Sequence, residues 1–126
     1  MPRPAGKRVE QPAQTAARWT DTAASDLEGI VDYLAETSPD TAAEVARRLV
    51  AAVDSLSEQP ERGRVVPELE RIGVTAYREL VRAPWRILYR VDGGAAHVVA
   101  VLDGRRNVED LLLSRLVRGA GTSAPD

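Results

Sequence analysis

Four arginines recur at four-residue intervals through the most apolar stretch of the chain, YRELVRAPWRILYRVDGG (residues 77–94): Arg78, Arg82, Arg86 and Arg90. A guanidinium hardly ever gives up its proton, so it serves as a fixed cation with a planar fork of donors. Between these cations stand Leu80, Val81, Trp85, Ile87, Leu88, Tyr89 and Val91, residues suited to a buried sheet. The arginines are therefore either ion-paired scaffolding or groups waiting for something negative. Glu68, Glu79 and Asp92 are the carboxylates available for cross-strand pairing. Arg105 and Arg106 precede a helix start, where they oppose the positive end of its dipole, which favours contact with a partner. The single histidine, His97, reads as a structural or surface imidazole, and the absence of cysteine excludes thiolate nucleophiles and thiolate metal sites.

The elements that must hold these residues follow from periodicity. Residues 14–20 form a short candidate strand ending at Trp19. Thr20 or Thr22 can then cap a helix in which Ala23, Leu27, Ile30, Val31 and Leu34 recur at helical spacing, with Asp26 and Glu28 at its positive end. The break TSPD supplies Ser38 as cap and Pro39 at the first position of a second helix, whose apolar face includes Val45, Leu49, Val53 and Leu56. So short a connection makes the two helices an antiparallel hairpin. After Gly63 the period falls to two: an edge strand over 64–69 containing Pro67, strands over 76–83 and 85–92, a Gly93-Gly94 turn, and a strand over 96–103. A short helix over 107–118 ends the ordered part, with disordered tails expected at 1–13 and 119–126.

The expected fold is thus α+β: a helical hairpin packed on a twisted, mainly antiparallel sheet of four to five strands, with a short C-terminal helix, in one domain over 14–118. In the third strand Trp85, Ile87, Tyr89 and Val91 should face the helices, leaving Arg86 and Arg90 on a reverse face that the last helix covers only in part. Residues 1–59 carry six Lys+Arg against ten Asp+Glu, whereas residues 60–118 carry eleven arginines against eight acids. The basic excess therefore collects with the strands, but it is modest beside the fields of dedicated nucleic-acid binders. No apolar run is long enough for a membrane helix, and no signal-peptide core is present, so a cytoplasmic location is expected.

The order helix, helix, four strands, with GRVVPE opening the sheet, YREL and PWRILYRV at its centre and VVAVLDGRRN at its end, resembles the RelE/ParE superfamily of toxins from bacterial type II toxin–antitoxin pairs over about residues 17–117. The resemblance implies a growth-inhibiting toxin with a role in plasmid stabilisation, and a cognate antitoxin whose extended segment wraps it, with toxin–antitoxin heterotetramers allowed. It implies no metal or other cofactor. One branch of the superfamily cuts messenger RNA on the ribosome; the other poisons DNA gyrase without hydrolysing anything. For the nuclease branch the matching residues are Arg86 as the strand arginine, Arg105 or Arg106 as the second cation, and Glu68 as the carboxylate base. Asp110-Leu111-Leu112-Leu113 stands where that branch carries its terminal proton donor, which favours the gyrase branch. Arg86, Arg90, Arg105, Arg106, Leu111 and Leu112 are the expected target or antitoxin contacts. An inert, antitoxin-binding member is a third expectation.

Overall fold

A computed structural model describes residues 16–105, 109–111, 114 and 115. The two expected tails, Arg106 and Leu112 lie outside the described residues. The chain begins with β1 (Ala16–Trp19), α1 (Asp21–Ala35) and α2 (Pro39–Asp54), followed by a 3-10 turn, Ser55–Ser57. Then come β2 (Arg64–Val65), a one-turn helix α3 (Pro67–Glu70), β3 (Tyr77–Arg82), β4 (Trp85–Asp92) and β5 (Ala95–Asp103). Residues 109–111, 114 and 115 are helical. The strands form one sheet in the order β1-β5-β4-β3-β2, antiparallel except that β1 runs parallel to β5. No helix among the described residues is long and apolar enough to cross a membrane.

Local chemistry fixes the helix starts. Of the two candidate caps it is Thr20 that serves: its hydroxyl accepts from the Ala23 N–H at 3.2 Å and donates to the Val98 carbonyl at 2.8 Å. One buried oxygen therefore both caps α1 and ties it to β5. Ser38 caps α2 through the Thr41 N–H, with Pro39 following. The apolar stripes of the two helices then close over Leu80, Ile87, Tyr89, Val98 and Val101 of the sheet. Gly93 and Gly94 take positive φ in the β4–β5 turn, as the sequence requires.

Two features depart from the expected pattern. The strand expected over 64–69 pairs only at Arg64 and Val65; the Val66 N–H makes one last bond to Tyr77, and the chain then coils into α3. Proline cannot extend a ladder, but it is pre-organised for the first helical position, where Glu68 and Glu70 also suit the dipole. In β5, Leu88 pairs with Ala100 and Tyr89 with Val98, so Val99 is an extra residue in a bulge. Three residues apart, Val98 and Val101 would otherwise face opposite ways; the bulge turns both towards the helices. Val66, Leu69, Leu88, Ala100 and Leu102 make a second core on the reverse face, with Leu111 packed against it.

Gly63 marks the tightest point in the sheet. Its N–H donates to the buried Tyr89 hydroxyl at 3.0 Å, and a Cβ there would lie 2.5 Å from the Glu79 carbonyl oxygen. Gly63→Ala should cost about 2–4 kcal/mol by forcing β2 and β3 apart, and Thr20→Ala about 1–2 kcal/mol through the lost cap. Urea unfolding of each variant measures both; an unchanged midpoint for Gly63→Ala would contradict the close approach.

Candidate functional site

The charged residues singled out by the sequence do not form one stripe. Arg78 and Arg82 lie on β3 on the same side as Leu80, towards the helices, whereas Arg86 and Arg90 lie on the reverse face of β4 beside Leu88. The four-residue interval is an accident of two strands meeting at a turn.

On the reverse face Glu79 is the pivot. It sits directly across from Arg64 of β2 and diagonally from Arg86, whose own cross-strand partner is Val81. Glu79 is fully shielded, with its two oxygens shared between Arg64 Nε at 2.6 Å and Arg86 Nε at 2.6 Å. The outer edge of the Arg86 guanidinium is then taken by Glu68 of α3 in a bidentate pair, both bonds 2.8 Å. The result is a neutral quartet, Arg64–Glu79–Arg86–Glu68. Arg86 lies on the predicted face, but it is 8% exposed and not open to a large target, because α3 folds over it. Its stem is held from below: a Cβ on Gly104 would lie 3.2 Å from Cγ and Cδ of Arg86.

Hydrogen bonding to Arg86 holds the Glu68 carboxyl at about 2, against the desolvation that would raise it. Hydrogen bonding to Glu68 and then to Glu79 raises the Arg86 guanidinium further above its ordinary value, although burial opposes this. At neutral pH Glu68 therefore has both oxygens engaged and little appetite for a proton. Arg86 has Nε, Nη1 and Nη2 engaged, leaving a phosphate no free fork to grip.

The remaining expected residues make ion pairs of their own. Arg90 pairs with Asp92 at 2.9 Å near the β4–β5 turn, with His97 as its cross-strand neighbour. Arg105 is exposed and forks onto Asp103 at 2.9 and 2.5 Å. It lines a groove with Tyr33 and Trp85 and directly follows Gly104, which packs on the Arg86 stem. The three carboxylates that the sequence offered for pairing all pair with strand arginines, with Glu79 as the hub, but nothing in the sequence signals the quartet's order. The contact of Asp26 with Arg115, 89 positions apart, is one for which no local spacing gives a signal.

The quartet makes two predictions. In the unfolded chain Glu68 protonates near 4.5, whereas folded it resists until about 2. A depressed folded value gives stability that is complete above about pH 5 and lost as pH falls through about 2. The shift is worth at most about 3 kcal/mol, reduced to about 1–2 kcal/mol by solvent around a partly exposed carboxylate. Glu68→Gln should therefore flatten the stability profile between pH 5 and pH 2, read by thermal melts. Arg86→Ala should cost about 3–5 kcal/mol, because it leaves Glu79 buried with only Arg64; a loss below 1 kcal/mol in urea unfolding would mean that the quartet is not a structural support.

Residues 17–108, most of the described chain, match the family described as ParE toxin of type II toxin–antitoxin system, parDE. The chain is 40% identical over 89 residues to Toxin RelE2 of Caulobacter vibrioides, covering 70% of this chain and 93% of that protein. It is 34% identical over 80 residues to Toxin RelE1 of the same organism, covering 63% and 82%. Among solved structures, a chain from the chromosomal ParDE TA system of P. aeruginosa superposes with a TM-score of 0.56 at 27% identity, covering 69% of this chain and 92% of that one. The overall fold is thus similar to that of a solved relative, and the sequence match extends over both cores. The chain belongs to the ParE toxin family of type II toxin–antitoxin systems, within the RelE/ParE superfamily.

Proposed function

We propose that this toxin works by binding, not by cutting: it engages DNA gyrase, traps the cleaved-DNA complex and stalls replication, and a cognate antitoxin neutralises it. The observation that carries this reading is the closed quartet. A nuclease built on Arg86 and Glu68 needs a free cation for the developing phosphorane charge and a base able to take a 2′-hydroxyl proton. Here each group has consumed the other. The neutral balance of the cluster also offers little to an RNA backbone, whose affinity comes mainly from counterion release. The match to the parDE toxin family supports the antitoxin partner.

The names of the Caulobacter relatives favour a second reading, a ribosome-dependent mRNA endonuclease in which Arg86 and Arg105 clamp phosphate and Glu68 is the base. The quartet would have to open on the ribosome for that chemistry. Glu68→Gln separates the two readings, since it keeps the shape of the pair and removes the base. On the binding reading, purified toxin inhibits gyrase supercoiling, and Glu68→Gln inhibits it within about twofold of wild type while transcripts stay intact. On the cutting reading, induced cells lose translation first, and Glu68→Gln loses about 10²–10³-fold in cleavage, in line with the removal of one key catalytic group. Supercoiling unaffected at stoichiometric toxin would defeat the gyrase proposal; if growth is also unaffected, the chain serves only to bind its antitoxin.

A further inference from the structure

The reverse face carries a second set of basic side chains, outside the quartet, that strand register brings into one line. Arg18 of β1 is the cross-strand neighbour of His97 on β5, and His97 is that of Arg90 on β4. All three side chains leave the sheet on the side away from α1 and α2, because the alternate positions, Ala17 and Trp19, Ala96 and Val98, and Tyr89, pack on the helical core. With neighbouring strands about 4.8 Å apart, the line from Arg18 to Arg90 is about 10 Å long. Tyr77 of β3 stands across from Arg90 and closes its far end.

Unlike Arg86, the arginines of this line are within reach of a partner. Arg18 is exposed, and its side chain makes no hydrogen bond or ion pair among the described residues. His97 is half-buried, with Nε2 3.3 Å from the Asp92 carbonyl. Arg90 is held by Asp92, in a pair whose side chains are 33% and 64% exposed. So open a pair contributes little and yields to a competing anion. The chain adds charge at the same end of the sheet. The Ala16 N–H donates to the Gly94 carbonyl at 3.3 Å, so β1 begins beside the β4–β5 turn, and residues 1–15 before it hold Arg3, Lys7 and Arg8 against Glu10. Cations spread along a line, and not gathered round a point, match a polyanion better than one small ion. Duplex DNA presents about one negative charge per 1.7 Å of its axis, and arginines hold its phosphates without reading sequence. We propose that the Arg18–His97–Arg90 line grips the phosphate backbone of duplex DNA, with Asp92 as an internal competitor that phosphate displaces from Arg90. The grip is sequence-independent and weak, with a Kd of about 10⁻⁴–10⁻⁶ M at physiological salt. It rests on the gyrase reading above for where DNA is met, and gives the toxin its own hold on the DNA of the complex that it traps.

The test is fluorescence anisotropy of a labelled DNA duplex titrated with the full chain, between about 50 and 200 mM salt. Wild-type binding should weaken as salt rises, and Arg18→Gln should lower the slope of log K on log salt by about one. Asp92→Asn should act the other way and tighten binding about two- to fivefold, the scale of one exposed ion pair removed from Arg90. Opposite effects from two exposed positions on one line are not produced by loss of folding. Wild-type toxin that leaves the anisotropy unchanged at low salt, a slope unmoved by Arg18→Gln, or no tightening by Asp92→Asn overturns the line as the grip. Stronger binding of single-stranded RNA or poly-glutamate of equal charge overturns its assignment to DNA. Supercoiling assays on the same preparations keep the two readings apart: inhibition without DNA binding defeats the line alone, and DNA binding without inhibition defeats the gyrase reading alone.

Discussion

Everything on the reverse face depends on satisfying one buried carboxylate. Glu79 has no water to lean on, and a lone ion so placed would cost several kcal/mol. Arg64 and Arg86 converge on it from the flanking strands, which brings a second buried charge with its own demand for partners. Glu68 meets that demand, and the one-turn helix α3 is the element that delivers it. The chain of compensation runs outward from the interior until a carboxylate reaches solvent. Each member is tolerable only because the next is in place.

This has a bearing on what the face can do. The pattern of strand arginines plus a carboxylate resembles nuclease machinery when read as a list of residues. Read as geometry, it is a closed electrostatic circuit of zero net charge that anchors α3 and roofs the second apolar cluster of Val66, Leu69, Leu88, Ala100 and Leu102. Groups that complete a fold are poorly placed to surrender their bonds to a passing substrate. Arg105, an exposed cation one residue past Gly104, is paired with Asp103 and lines the groove with Tyr33 and Trp85.

The sequence disclosed whatever is decided locally. Helix starts at Thr20 and Ser38, the Gly93-Gly94 turn, the alternation in β4 and the placing of Arg86 behind the main core all follow from spacing and caps, and the family resemblance agrees with the family match. What it hid was set by contacts distant in sequence. Pro67 suits an edge strand as well as a first helical position, and the pairing of Glu68 with Arg86 adds to the local preference for the helical turn. The bulge at Val99 breaks strict alternation without any glycine to announce it. The Asp26–Arg115 contact joins two ends of the chain that share no motif. Exposure of Arg86 was misjudged for the same reason, since the strand pattern reports a side chain's face but not what covers that face.

The bulge at Val99 also governs where the helical half of the molecule begins. A parallel neighbour can follow β5 only while the hydrogen-bonding phase of β5 stays regular, and that phase slips one residue beyond Val98. Thr20 makes the last bond, to the Val98 carbonyl, and the chain turns away into α1 at the next residue. A single inserted position in one strand thus acts as the ruler for another. A homologue lacking it would be free to run β1 further along its neighbour, slide the helical hairpin forward and close the very groove that this chain keeps available.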